Sequence, residues 1–319
     1  MSKYIRLSSL SIKGGVNYSG NLKDNLSSEI DRMIDSWDKK LKYVMPNKPD
    51  LIVLPEECDM YHNYPATRRL EYCDVKGNRL RDFFMEKAKL NSCYIAYSAS
   101  VKTQDGTYRN STQLIDRNGN IAGIYNKNHP TVGEIEEWKI LPGKDAKVIK
   151  CDFGKVACAI CFDLNFDAMW QKYKAQEPDI VIFSSAYHGG LMQNYRAYQL
   201  RSYFVGSIMD LENTIINPVG DIIAKSTNYF GYITHDINLD YKVVHLAYNH
   251  NKILQAVNKY GSKFKMYDPG YLGAVLLTGE TDEFTIEDII DEFKIELLDE
   301  YFDRCIDFQK VHVQKGKEV

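Results

Sequence analysis

The stretch Gly154-Lys-Val-Ala-Cys-Ala-Ile-Cys-Phe-Asp-Leu-Asn165 carries two thiols three residues apart. A Cys-x-x-Cys invites zinc or redox chemistry. Here the apolar run around it reads as a strand, and residues three apart on a strand point to opposite faces. Cys158 and Cys161 therefore cannot share a metal or close a disulfide while the strand persists. No second Cys-x-x-Cys and no Cys/His knuckle completes a zinc set, so no metal and no other cofactor is expected. Cys161 differs from its neighbour because it stands where the apolar strand ends, with Asp163 and Asn165 placed to cap a following helix. That is how a nucleophile is placed. Backbone donors after the thiol face the reacting atom, and the positive end of a helix favours thiolate. An ordinary buried thiol is the plain alternative.

A thiol nucleophile needs a base and a group to stabilise the charge that develops on the substrate. None of the seven His sits in a context that marks it as that base. Two other segments do better. Leu51-Ile-Val-Leu-Pro-Glu-Glu57 ends a buried strand on the carboxylates of Glu56 and Glu57, at the strand's carboxyl end, where sites form in open α/β sheets. Tyr125-Asn-Lys127-Asn-His129-Pro130 ends another strand on a Lys directed toward a Pro-containing loop. A carboxylate, an ammonium and a thiol from three strand ends would make a compact acyl-transfer site. Taken singly, Glu56 also reads as a helix cap and Lys127 as a surface charge.

In order, Leu-Pro-Glu56, Tyr-x-Lys127-x-His-Pro and Gly-Lys-Val-x-x-x-Ile-Cys161-Phe-Asp resemble the three signatures of the nitrilase superfamily of carbon–nitrogen hydrolases. Tyr108-Arg-Asn110-Ser-x-x-Leu-Ile-Asp-Arg-Asn-Gly119 resembles that family's strand before the lysine, and Asn217-Pro-Val-Gly220 extends the similarity to about residue 240. The resemblance implies an α/β fold, a four-layer αββα sandwich of two mixed sheets covered by helices. It also implies a Glu-Lys-Cys triad. Glu56 would be the general base and Cys161 would form a thioester. Lys127 and the backbone N–H of Phe162 would hold the oxyanion. A second glutamate follows the lysine in this family. Thr131-Val-Gly-Glu134-Ile-Glu-Glu-Trp138 is similar to the true nitrilase form and implies Glu134, with Glu136 the rival because aliphatic amidases carry Glu-x-Trp there.

True nitrilases have Trp-Glu directly after the cysteine. Asp163, Asn165, Phe166 and Trp170 are instead similar to the amidase form. The Arg pair with which carbamoylases hold a carboxylate is absent. Amide hydrolysis therefore leads, followed by N-carbamoyl and then nitrile hydrolysis. A catalytically silent binding scaffold remains the alternative of another class. Tyr64, Tyr187 and His188 follow strand ends and are candidates for the pocket wall. Gly189 and Gly190 after His188 leave room for a ligand's approach.

The elements that must position these residues alternate. Strands are predicted at Ile5–Ile12, Leu51–Leu54, Cys93–Val101, Tyr108–Ile115, Asn120–Tyr125, Ala146–Cys151, Lys155–Cys161, Ile180–Ser184, Val205–Met209, Thr214–Asn217, Ile222–Lys225 and Gly231–Ile237. Helices are predicted at Asn25–Tyr43, Leu80–Leu90, Asn165–Ala175 and Gln193–Phe204, on apolar residues spaced at helical intervals such as Ile30, Met33, Trp37 and Leu41. Helix-strand alternation broken by hairpins predicts mixed sheets covered by helices. Residues 1–278 read as one hydrolase domain. Residues 279–319 read as a helical extension, one amphipathic helix from Thr285 to Cys305 with Thr285 and Asp288 as its cap. The resemblance implies a homodimer or larger assembly, with the Ile289, Phe293, Leu297 and Tyr301 face partly against the partner.

Composition excludes other classes. At 44% hydrophobic and 26% charged, with net charge −3, the 319-residue chain is neither disordered nor built to neutralise a phosphate backbone. No apolar run approaches the ~20 residues that span a bilayer, and Met1–Gly20 lacks a signal-peptide core. The expectation is no nucleic-acid and no membrane partner. Seven dispersed Cys suggest a reducing compartment and a cytoplasmic protein.

Overall fold

The computed structural model describes residues 3–11 and 25–315. Ile12 and most of the Met1–Gly20 stretch lie outside them. The chain forms two compact units, Ile5–Ile237 and a second built mainly from Asn238 onward.

In the first unit the chain runs through β1 (Tyr4–Leu10), α1 (Leu26–Leu41), β2 (Leu51–Val53), α2 (Ala66–Lys76) and α3 (Arg79–Asn91). There follow β3 (Tyr94–Lys102), β4 (Tyr108–Ile115), β5 (Ile121–Asn126) and the short α4 (Val132–Glu136). The second half has β6 (Ile149–Lys150), β7 (Lys155–Ile160), α5 (Asp167–Lys174), β8 (Ile180–Ser185) and α6 (Leu191–Leu200). It continues with β9 (Tyr203–Ile208), β10 (Thr214–Ile216), β11 (Ile222–Lys225) and β12 (Tyr232–Asn238).

These strands make two six-stranded sheets, ordered β12-β1-β2-β3-β4-β5 and β11-β10-β9-β8-β7-β6. Each is parallel at its centre (β1–β2–β3 and β7–β8–β9), and hairpins add antiparallel β4 and β5 to the first and β6, β10 and β11 to the second. The central strands are apolar on both faces because both faces are covered. Small hydroxyl residues let the two sheets approach. Ser184 donates to the Leu54 carbonyl at 2.7 Å, Ser9 to that of Gly206 at 3.0 Å, and Ser207 to that of Leu10 at 2.7 Å. Helices α1 to α3 cover the first sheet and α5 and α6 the second, which completes the four-layer αββα sandwich.

Helix α1 buries Ile30, Met33, Trp37 and Leu41, the apolar stripe read from the sequence, and Asn25 caps it by accepting from the Ser27 N–H. Trp37 then reaches the loop after Glu57: its indole N–H donates to the Cys58 carbonyl at 2.8 Å.

The second unit departs from expectation. Residues predicted to belong to the hydrolase domain up to 278 form a separate three-stranded antiparallel sheet of β13 (Tyr241–His245), β14 (Phe264–Tyr267) and β15 (Ala274–Gly279), with α7 (His250–Tyr260) between the first two. The two compact units therefore divide at residues 237/238. The expected single helix Thr285–Cys305 is two, α8 (Ile286–Phe293) and α9 (Leu298–Lys315). Lys294 adopts φ +51° and ends the first helix by a left-handed C-cap. Thr285 and Asp288 do form the predicted capping box. Ile286, Ile289 and Ile290 are buried with Val244, Ile253, Phe264, Val275 and Leu277, and Phe293 and Leu297 pack on that cluster. The face expected to meet a partner is thus largely consumed by its own unit's core. No helix among the described residues is long and apolar enough to cross a membrane.

Candidate active site

The strand ends meet as the sequence predicts. Past β2 the backbone turns sharply: Glu57 has φ +47°, an uncommon conformation for a non-glycine residue. Glu57 is held in it from both sides, by Arg69 on α2 and by the Ser100 hydroxyl on β3 at 2.7 Å. Burial pushes the Glu57 carboxyl up, but the Arg69 charge and these bonds outweigh it and hold it below its ordinary value. The Arg69 guanidinium also stacks on Trp138 at 3.9 Å. It thereby ties the Glu56 loop to the segment after α4. Neither Arg69 nor Ser100 was marked by any sequence motif.

Glu56 is 4% exposed and Lys127 1%. The Lys127 ammonium donates to Glu56 Oε1 at 2.9 Å and to both oxygens of Glu134, at 2.9 and 2.8 Å. Glu134 lies in the first turn of α4 and also closes a capping box, accepting from the Thr131 N–H at 2.8 Å. The rival Glu136 is exposed, one helical face away. Asn110 on β4 donates to Glu56 Oε1 at 2.8 Å and to Glu134 Oε1 at 3.0 Å, a bridge missed in the sequence although its motif was noticed. The Ala186 N–H after β8 donates to Glu56 Oε2 at 2.9 Å.

Burial raises the Glu56 carboxyl above its ordinary range, and the Lys127 charge only partly offsets this. For Lys127 burial works downward, yet Glu56, Cys161 and Glu134 prevail and hold the ammonium firmly protonated.

Cys161 follows β7 with φ +49°, so the chain bends at the thiol itself. It opens a 3₁₀ turn, Cys161–Asn165, not an α-helix; α5 starts only at Asp167, behind Phe166. The expected capping is accordingly different. Asp163, fully buried, holds the turn from inside, accepting from the Ile160 N–H at 3.0 Å, the Tyr125 hydroxyl at 2.7 Å and the His129 N–H at 2.9 Å. It therefore locks the thiol's turn to the Lys127 segment. Asn165 donates to the Phe162 carbonyl and to the Tyr187 hydroxyl, both at 3.2 Å.

The helix end expected to favour a thiolate does not stand at Cys161. Burial and the neighbouring Glu56 charge push the Cys161 thiol up to about 12, against which the Lys127 charge works only partly. A five-residue 3₁₀ turn offers little dipole to counter them. Cys158 lies inside β7, opposite Ile182 and fully buried.

The other candidates separate. Phe162 is 40% exposed, its ring edge-on to Phe166. Tyr187 is half-buried and feels the charges of Cys161, Lys127 and Glu56, which places it at the site's edge. His188 takes the Gly190 N–H on its Nδ1 at 3.1 Å, a bond within its own loop. Gly189 leaves room not for a ligand but for Leu164, whose Cδ2 lies 2.3 Å from where a Cβ would stand. Tyr64 is buried among Tyr61 and Tyr72 in the first sheet's helix-side core, its centroid 5.0 and 5.7 Å from theirs. Among the described residues no group of His, Cys, Asp or Glu is arranged to hold a metal.

Comparison with known proteins gives a concordant picture. The carbon–nitrogen hydrolase family model matches residues 20–242. Deaminated glutathione amidase of Dictyostelium discoideum is 24% identical over 264 residues, covering 72% of this chain and 87% of that protein. Omega-amidase NIT2 of Danio rerio is 22% identical, covering 54% and 70%. Among solved structures, Saccharomyces cerevisiae Nit3, a member of branch 10 of the nitrilase superfamily, superposes with a TM-score of 0.61 at 16% identity, covering 80% of this chain and 94% of that one.

Proposed function

The chain belongs to the carbon–nitrogen hydrolase family, and on that premise we propose that it hydrolyses a small amide through a thioester on Cys161. The observation that carries this reading is a fully buried ammonium held between two buried carboxylates beside a thiol at a strained strand end. In the first half-reaction the Cys161 sulfur attacks the amide carbonyl while Glu56 takes its proton. The oxyanion is met by Lys127 and the Phe162 N–H. Lys127 has three protons on three carboxylate oxygens, so donation to the oxyanion requires release of one of its two bonds to Glu134. Glu56 then gives its proton to the leaving ammonia or amine. In the second half-reaction it takes a proton from water, which attacks the thioester and frees the acid.

Amides are preferred over N-carbamoyl compounds and nitriles because Asp163, Asn165 and Trp170 follow the amidase form and because both relatives named above are amidases. A screen for ammonia release across the three classes tests this. Turnover of nitriles alone, or of nothing while Cys161 labels slowly with iodoacetamide, would sink it.

The raised Glu56 sets the pH profile. The base works only when ionised, so kcat/KM should fall as pH falls through a value above the usual carboxylate range. With Cys161 near 12 and Lys127 firmly protonated, no loss is expected on the alkaline side up to about pH 10. A bell with its upper limb near pH 8 would argue for a histidine in the mechanism.

Assembly as a homodimer or larger belongs to the same proposal. With α8 buried in its own core, the apolar face that remains on α9 is Phe302, Ile306 and Val313, all exposed, with Phe308 and Val311 exposed on its other side. Light scattering at micromolar concentration should show more than one copy, and Ile306→Glu with Val313→Glu should shift it toward monomer; a wild-type monomer would refute it. All seven cysteines are unpaired, which supports a reducing, cytoplasmic setting.

A further inference from the structure

Asn110 has no part in the reaction as written above, yet it touches Glu56, Lys127 and Glu134. Its side-chain Nδ2 donates to Glu56 Oε1 at 2.8 Å and Glu134 Oε1 at 3.0 Å, and its backbone carbonyl accepts from the Lys127 N–H at 2.8 Å. The residue is 1% exposed. Two carboxylate oxygens facing one amide atom identify that atom as the nitrogen. The opposite atom, Oδ1, is buried and accepts no hydrogen bond among the described residues. An orphaned buried acceptor costs stability, and such a cost persists where an arrangement serves something other than stability.

The lone pairs of Glu56 show what is served. A carboxylate oxygen accepts along about two directions. At Oε1 both are taken, by Lys127 and by Asn110. At Oε2 one is taken, by the Ala186 N–H. We infer that Asn110 is a positioning residue which, with Lys127, saturates Oε1 and leaves Oε2 of Glu56 as the atom that takes the Cys161 proton. In that step the sulfur forms its bond to the carbonyl carbon and the π pair moves onto the carbonyl oxygen. The thiol proton passes to Oε2, and the pair that bound it stays on sulfur. Without Asn110, Oε1 regains a free direction, and Glu56 is free to rotate and present either oxygen. The ionised carboxylate also loses a donor while Glu134, Glu57 and Lys127 still face it.

The inference rests on the Glu56–Cys161 reading above, and the test separates the two. Full-length wild type, Glu56→Gln, Asn110→Leu and Asn110→Ala are compared in the pH dependence of Cys161 alkylation by iodoacetamide and, on an amide the wild type turns over, in kcat and KM. Asn110→Leu should lower kcat by ~10- to 100-fold with KM within about threefold. It should move the acid limb of alkylation up by about one pH unit. Asn110→Ala should show the same kinetic signature and stands in if the Leu variant does not fold. Lowered melting temperature with unmoved kcat and acid limb in both would make Asn110 a structural strut and overturn the inference. Alkylation indifferent to Glu56→Gln would overturn the underlying reading instead.

Discussion

Cys161→Ala abolishes hydrolysis, by at least ~10³ in kcat, and leaves the protein folded. No neighbouring group takes its place. Cys158 is buried inside β7 with its thiol pushed far up by desolvation, and the Ser185 hydroxyl is spent on the Tyr187 carbonyl at 2.6 Å. The cost in stability is small because a half-buried sulfur is lost, not a packed one. The backbone adds a further check. At φ +49° an alanine is as strained as the cysteine, whereas glycine adopts this conformation without penalty. Cys161→Gly should therefore melt no lower than Cys161→Ala, a reversal of the usual order. Cys158→Ala should do the opposite of both, keeping most activity while losing roughly 1–3 kcal/mol of stability to the cavity it leaves. Ammonia release and thermal melts on the four proteins decide; an inactive Cys158→Ala beside an active Cys161→Ala would reverse the assignment.

Why these residues and not others were legible follows from how each is placed. Glu56, Lys127 and Cys161 each stand where a continuous apolar run breaks, and such a break is visible in one dimension. So were the mixed sheets covered by helices, because both buried parallel strands and the Asn118-Gly119 hairpin have local signatures; the sandwich itself came from the resemblance. What supports the site is not local. Arg69 reaches Glu57 from the next helix, the Ala186 N–H reaches Glu56 from the other sheet, and Asp163 gathers donors from β5 and β7 at once. Asn110 was visible as part of a motif, but only the closed sheet reveals that its amide spans two carboxylates. The helix expected directly after Cys161 failed because Asp163 holds that segment in a 3₁₀ turn from inside. The second unit failed for another reason. β14 exposes Lys265, Met266 and Tyr267, so its pattern carries little hydrophobic period, and α8 stops at a left-handed lysine without the Gly or Pro that normally announces a stop.

Lys127→Met is the substitution that disturbs both the chemistry and the fold. It removes the oxyanion's charged donor, so kcat should fall by at least ~10², with KM affected far less. It also leaves Glu56 and Glu134 buried without their shared counter-ion, where loss of one partner from a buried pair costs about 3–5 kcal/mol. The pH dependence separates the two effects. In the variant the Glu56 carboxyl, already raised by burial in wild type, rises further because the charge that opposed burial is gone. A carboxyl raised in the folded state binds its proton more tightly there than in the unfolded chain, so it favours folding as pH falls. The melting-temperature gap between wild type and variant should therefore be widest above the raised Glu56 value and narrow as pH drops through it. Activity should not recover in step, since a protonated Glu56 is no base. Adding Glu134→Gln removes one of the stranded charges and should restore part of the stability at neutral pH with no gain in kcat. Near-normal kcat in Lys127→Met would take the lysine out of the mechanism and return the search for a charged partner to His129 and His188.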